Sequence, residues 1–391
     1  MLHFEASQAL QRLPKQFFAA LSQKVNALVE SGVDVINLGQ GNPDQPTPAH
    51  IVQALQHAAE NPLYHKYSPF TGHHFLKEAI ATYYQREYQV TVDPTSEVAV
   101  LFGGKAGLVE ISQCLLNAGD IALVPDPGYP DYWSGISMAG AEMATMPLEE
   151  AHGFLPDFSA VSSETLKQAK LMFLNYPNNP TGAIADTSFF KETVSLAEAH
   201  QIAIVHDFAY SAIGFDQHKP ISFLQTPGAK GVGIEIYTMS KTYNMAGWRI
   251  GFAVGNPDLI AMIDLIQDHF YVSLFGGIQD AAAQALLGPQ DSVSALAHTY
   301  ESRRNALITA LNEIGWSVQP PKGAFFAWLP VPAPFDSEGF AELLLNQAHV
   351  AVAPGIGFGT HGEGYVRVGL LTEEQQLLEA VKRIEALGIF Q

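Results

Sequence analysis

The chain has 391 residues, of which 47% are hydrophobic and 15% charged, enough apolar side chain for a large core and too much for a disordered chain. Its 39 acidic residues against 20 basic ones give a net charge of −19. A surface this acidic repels nucleic acid and anionic membranes, so the expected partner is a small molecule, and any anionic ligand must be caught by a few placed cations and backbone N–H groups. At roughly 100–200 residues per domain, the length suggests two or three structural units. The single cysteine, Cys114, has no internal partner and fits a reducing compartment. The N-terminus carries no basic segment followed by a long apolar run, and no stretch of about 18 residues is apolar and uncharged. A cytoplasmic protein is expected.

In chain order, residues 1–44 read as an N-terminal arm, with 7–31 expected to pack on the C-terminal part. Apolar runs of strand length follow at 98–102, 121–124, 171–174, 202–205, 234–238 and 250–254. Helical patterns lie between several of them, at 107–116 and 188–200 for example. Wholly apolar strands alternating with helices imply an α/β unit, a mostly parallel sheet covered on both faces, over 45–285. Residues 286–391 change character. A long helix at 294–314 leads to an apolar run at 324–329, a helix at 337–347, short strands at 349–353 and 365–368, and an amphipathic helix at 373–387. That is the pattern of a smaller α+β unit.

Four loops at strand ends carry reactive side chains. Phe102-Gly103-Gly104-Lys105 runs from a strand through glycines into a helix, and such a helix start offers free N–H groups to an anion. Taken alone, a glycine-rich turn of this kind is common. Asn175-Tyr176-Pro177-Asn178-Asn179-Pro180-Thr181-Gly182 reads first as a tight loop, but it places the Asn179 amide at the same rim. His206-Asp207-Phe208-Ala209-Tyr210 puts a carboxylate at a strand end, where helix capping is the ordinary explanation. Tyr237-Thr238-Met239-Ser240-Lys241 is followed by Arg249 eight residues after the lysine. A lone lysine is usually a surface residue. Here the neighbouring hydroxyls and guanidinium suit a phosphate, and burial beside Arg249 would lower the amine pKa toward that of a nucleophile. Further on, Arg367 lies within an apolar strand, where an arginine is costly unless it grips an anion.

Taken together, Gly104-Lys105, Asn179-Pro180-Thr181-Gly182, Asp207 with Tyr210, and Ser240-Lys241 with Arg249 and Ile250-Gly251 resemble the class I/II aminotransferases of pyridoxal-phosphate fold type I. The resemblance runs from Asn37 to the last helix. It implies a large domain with a mostly parallel, seven-stranded type of sheet and a smaller α+β domain. It implies pyridoxal 5'-phosphate as cofactor, a homodimer with shared active sites, and amino acids and 2-oxo acids as substrates. By the same resemblance Lys241 is the Schiff-base and proton-shuttling lysine, and Asp207 faces the pyridine nitrogen, keeping it protonated. Asn179 and Tyr210 face the phenolic oxygen, and Tyr129 stacks on the ring. Gly104, Lys105, Thr238, Ser240 and Arg249 surround the phosphate. Tyr67 reaches the phosphate of the neighbouring subunit. Gly41, Asn179 and Arg367 hold the substrate, with Arg367 on its α-carboxylate.

The stretches 37–48, 101–110 and 240–249 are similar in wording to the methionine-salvage branch of that family, which aminates 4-methylthio-2-oxobutanoate. Residues 256–300 contain no lysine or arginine but do contain Phe270, Tyr271, Leu274 and Phe275. If this segment borders the side-chain pocket, a neutral or aromatic side chain is favoured over a dicarboxylate. Arg12 or Lys15 of the arm would be the remaining source of a second cation. Rival readings are an aspartate or N-acetyl-diaminopimelate aminotransferase and a C–S β-lyase, which would use the same lysine, aspartate and arginine. A nicotinamide enzyme is suggested by Gly357-Phe358-Gly359-Thr360-His361-Gly362. That glycine pattern leads into a strand, however, so no helix start faces a pyrophosphate. No metal site is expected, since the 14 histidines form no ligand motif and there is no cysteine cluster.

Overall fold

The structure is a computed structural model that describes residues 3–14, 17–271 and 273–390. Its centre is a seven-stranded sheet. The strands, in chain order, are β1 (Val98–Leu101), β2 (Ile121–Asp126), β3 (Glu142–Pro147), β4 (Ala169–Leu174), β5 (Ala203–Asp207), β6 (Gly233–Thr238) and β7 (Gly251–Gly255). Their spatial order is β1-β7-β6-β5-β4-β2-β3. All neighbours are parallel except β7, which runs antiparallel to both β1 and β6. The six apolar runs of the sequence are six of these strands. The seventh, β3, lies at the sheet edge and is mostly exposed or half-buried, so it has no continuous apolar run to announce it.

The sheet is buried on both faces because its side chains alternate. Ala99, Leu101, Ala122, Val124, Leu171, Phe173, Ile234 and Ile236 pack with residues of helices Gly104–Leu115, Asp131–Ala139 and Pro257–Phe270. Val98, Val100, Leu123, Met172, Leu174, Phe252 and Val254 pack on the other face with residues of helices His74–Tyr88, Thr187–His200 and Gly276–Leu287. His73 stands at the cap position of the helix His74–Tyr88. The His73 backbone N–H donates to Gln279 at 2.7 Å.

The C-terminal part has its own apolar core around Trp316, Phe325, Phe340 and Leu377. It carries a three-stranded antiparallel sheet in which Tyr365–Gly369 lies between Ala353–Pro354 and Phe326–Pro330. The expected helix at 337–347 is Ser337–Leu343 continued by a π-turn at Leu344–Ala348. Part of the N-terminal arm packs here, whereas the short helix Gln8–Gln11 and Arg12 lie by the helix Asp131–Ala139 and Gly140. Ile36–Asn37 pairs in parallel with Val350–Ala351, and helix Phe17–Glu30 buries Val25 against Leu345 and Ala351. The glycine pattern at 357–362 forms two short 3-10 turns that lead into the strand Tyr365–Gly369, so it offers no helix start.

Beneath the sheet's carboxyl edge lies a buried acid. Glu235 of β6 is fully buried and accepts from Tyr84 Oη at 3.1 Å, Ser222 Oγ at 2.6 Å, the Phe223 N–H at 2.6 Å and His206 Nδ1 at 2.8 Å. It therefore ties β6 to His206, the residue before Asp207. Replacing it strands several buried donors, each costing about 1–3 kcal/mol. Glu235→Ala is expected to lower the thermal midpoint by several degrees in differential scanning calorimetry. A midpoint within about 1 °C of wild type would show that the network carries no stability.

Candidate active site

The reactive side chains converge because parallel strands end together. β1 ends at Leu101 and the chain turns through Gly103 into helix Gly104–Leu115. Gly103 has φ +84, and a Cβ there would lie 2.5 Å from Arg249 Nη2, so only glycine lets the guanidinium come this close to the backbone. β2 leads to Tyr129, β4 to Asn175 and Asn179, and β5 ends on Asp207. β6 ends on Thr238, whose hydroxyl caps the turn carrying Lys241 by accepting from the Ser240 N–H.

These ends surround a cavity of about 400 Å³. Of the site residues expected from the sequence, Gly41, Gly104, Lys105, Tyr129, Asn179, Asp207, Tyr210, Thr238, Ser240, Lys241, Arg249 and Arg367 all line it. Tyr67 does not; its side chain is 87% exposed. Within one chain no described residue of the segment 256–300 lines this wall, so the condition placed on it is not met there. Phe270, Tyr271 and Phe275 are exposed, with the Tyr271 ring tilted at 44° against Phe102, centres 4.8 Å apart. The apolar wall comes instead from Phe18 and Leu21 of the N-terminal helix, with Leu108 and Phe326. Arg12 lies against Gly140, away from the cavity, and Lys15 falls outside the described residues.

Lys241 donates from Nζ to the Gly41 carbonyl at 2.9 Å. Burial is the first cause that lowers its pKa, to about 8, and Arg367 is the second. Arg249, the neighbour singled out from the sequence, contributes less. Asp207 is buried, and burial raises its pKa to about 6 against the opposing hydrogen bond from Tyr132 at 2.9 Å. Its backbone carbonyl accepts from Asn175 Nδ2 at 2.8 Å, which fixes the strand end.

Arg367 is 3% exposed and no carboxylate among the described residues pairs with it. Nη1 donates to Asn179 Oδ1 and Nη2 to the Gly39 carbonyl, each at 3.0 Å. Nε is buried without a partner among the described residues. The guanidinium carbon lies 4.0 Å from the Phe326 ring centre, 4.8 Å from Phe358 and 5.2 Å from Phe18. Burial lowers its pKa to about 10, still far above neutrality, so the charge persists. An uncompensated buried cation costs several kcal/mol, which makes this a seat for an anion. Because Asn179 spends its Oδ1 on Arg367, its amide N–H2 is what it offers a ligand.

Lys105 stands apart from the other cations. Its ammonium pairs with Asp131 at 2.8 Å and half its side chain is exposed. Its backbone lies in the first turn of the helix Gly104–Leu115. Sequence reasoning missed Tyr132, Phe18 and Phe326. Tyr132 lies three residues after Tyr129, in the first turn of the helix Asp131–Ala139.

Comparison with known proteins is consistent with this geometry. A family model described as aminotransferase class I and II matches residues 33–384. Over 389 residues the chain is 62% identical to L-glutamine--4-(methylsulfanyl)-2-oxobutanoate aminotransferase of Bacillus subtilis (strain 168), covering 100% of this chain and 98% of that protein. It is 44% identical to LL-diaminopimelate aminotransferase of Moorella thermoacetica over 97% of each chain. The solved structure of apo-BacF from Bacillus subtilis matches with a TM-score of 0.96 at 50% identity, covering 100% of this chain and 99% of that one.

The Arg367 charge disfavours a second positive charge on Lys241. Removing it in Arg367→Leu is therefore expected to raise the lysine pKa above about 8. The pH dependence of Lys241 labelling by an amine reagent, read by peptide mass spectrometry on cofactor-free protein, checks this. An unchanged midpoint would mean that the two groups do not interact.

Proposed function

The chain belongs to the class I and II aminotransferases and is a transaminase, and from that premise we propose that it uses pyridoxal 5'-phosphate to aminate 4-methylthio-2-oxobutanoate to methionine, with glutamine as donor. One observation carries the reading: a lysine of lowered pKa, a buried carboxylate and an unpaired buried arginine line the same cavity.

The residues fit the cofactor. Asp207 offers a carboxylate to a ring nitrogen. Tyr210 and the Asn179 amide offer donors to a phenolic oxygen, and Tyr129 offers an aromatic face. Thr238, Ser240, Arg249 and the free N–H groups of Gly104 and Lys105 offer a phosphate seat. Bound there, pyridoxal phosphate supplies a carbonyl carbon for the amino group and a ring that accepts electrons. The chain's own residues do the rest. Arg367 holds the substrate α-carboxylate through its forked N–H groups. Lys241, with a pKa of about 8, is neutral often enough at neutral pH to take the α-proton and return it. Asp207 keeps the proton on the ring nitrogen. Phe18, Phe326 and Phe358 keep water from the arginine.

The side-chain pocket supports a neutral substrate. Beyond Arg367, the lining cations are Lys241, Arg249 and Lys105, the last already paired with Asp131. Among the described residues none is left over for a distal carboxylate. A homodimer is part of the proposal. Tyr67, Phe70, Leu265, Phe270, Tyr271 and Phe275 are all exposed, a density of large apolar side chains that favours cover by a second copy. In such a dimer Tyr67 would reach the other copy's phosphate seat.

Cofactor-loaded protein given glutamine and 4-methylthio-2-oxobutanoate is expected to form methionine, with aspartate a poor donor. Lys241→Ala is expected to lose about 1000-fold or more in turnover. Full activity in that variant would remove the lysine from the mechanism. Pyruvate, ammonia and homocysteine from cystathionine, with no methionine formed from the 2-oxo acid, would replace the transamination reading with a lyase.

A further inference from the structure

Resting on the cofactor reading above, we propose that Tyr132 is a positioning residue that holds the Asp207 carboxylate charged and oriented for the cofactor's ring nitrogen. Among the described residues it is the one side chain that donates to this carboxylate, Oη to Oδ2 at 2.9 Å. It is fixed for the task. The ring is fully buried, stacked on Phe173 with centres 4.7 Å apart and planes at 9°, and meets the Tyr129 edge at 5.8 Å. It thus links the residue beneath the ring nitrogen to Tyr129, which the resemblance places on the ring face.

The physical need is plain from the burial of Asp207. Desolvation alone favours the neutral acid, and a neutral acid gives no charge to hold a protonated ring nitrogen. A hydrogen bond to the charged form opposes this, and it is stronger to a carboxylate than to a neutral acceptor. Burial, with the Asp207 charge, keeps the Tyr132 phenol well above its ordinary pKa, so it stays a donor. His206 and Lys241 also favour the charged carboxylate, but by charge alone; the Ala209 backbone N–H adds a hydrogen bond, which leaves Tyr132 as the side chain whose substitution tests the orientation.

Tyr132→Phe removes only the hydroxyl and keeps the stack on Phe173, so the fold should persist; circular dichroism verifies it. The primary readout is pyridoxal phosphate affinity, from titrating cofactor-free protein by absorbance and fluorescence quenching. The dissociation constant is expected to rise about tenfold or more. At saturating cofactor, kcat should fall while KM for the amino donor changes less than about twofold, since Arg367 is untouched. In an Asp207→Asn background the Phe substitution should add nothing further, because the hydroxyl acts through the carboxylate. Unchanged affinity and kcat in Tyr132→Phe would overturn the inference alone. So would an equal loss in the Asp207→Asn background, which would mean a packing role. Wild-type protein that binds no pyridoxal phosphate would overturn both the inference and the cofactor reading.

Discussion

The unpaired charge of Arg367 is the constraint on which the site depends. The guanidinium is buried, ringed by Phe18, Phe326 and Phe358, and held by two neutral oxygens rather than by a carboxylate. Such a cation is tolerable only where it is repaid by an anion that comes and goes. Its position reaches across the molecule. The strand Tyr365–Gly369 presents it, the Gly39 carbonyl of the N-terminal arm receives it, and Asn179 of the large sheet's rim orients it. Three separate parts of the chain thus meet at one side chain. Its charge also lowers the pKa of Lys241, so the group that binds a carboxylate prepares the group that moves a proton.

The opposite wall of the cavity is stiff for a different reason. Asp207 ends β5, and the residue before it, His206, is buried against Glu235 of β6. Asn175 holds the Asp207 carbonyl and Tyr132 its carboxylate. The backbone around the acid is held by the loop after β4 and, through His206, by β6, while its carboxylate is held from the helix Asp131–Ala139. A rigid acid on one side and a lysine at the cavity's centre, tied to the Gly41 carbonyl, leave a space whose shape is set by its walls.

Much of this was legible in the sequence because it rests on local pattern. Continuous apolar runs marked six strands, and the loops after them carried Asp207, Asn179 and Lys241. What stayed hidden depends on contacts distant in sequence or on weak pattern. The edge strand Glu142–Pro147 lacks an apolar run because half of it faces solvent. Phe18 lies more than 300 residues from Arg367 in the chain, yet the two meet at 5.2 Å, and no spacing rule connects them. Arg249 was assigned the larger influence on Lys241 from its nearness in sequence, whereas Arg367 exerts it from the far end of the chain. The apolar segment 256–300 walls the pocket only if the fold brings it there, and within one chain Phe270, Tyr271 and Phe275 are exposed. Composition shows that a segment must be covered, not by what.

The most direct measurement compares two unreactive ligands on the cofactor-loaded protein, α-methylmethionine and the amine left when its carboxylate is removed. The first has no α-proton to lose and the second has no carboxylate for Arg367, so initial equilibrium binding by absorbance isolates the anchor. If the buried guanidinium is kept for an α-carboxylate, the amine binds about 100-fold more weakly or worse, the weight of a charge-assisted bidentate pair. Equal affinity would contradict the account, because Arg367 would then be buried for some purpose other than substrate.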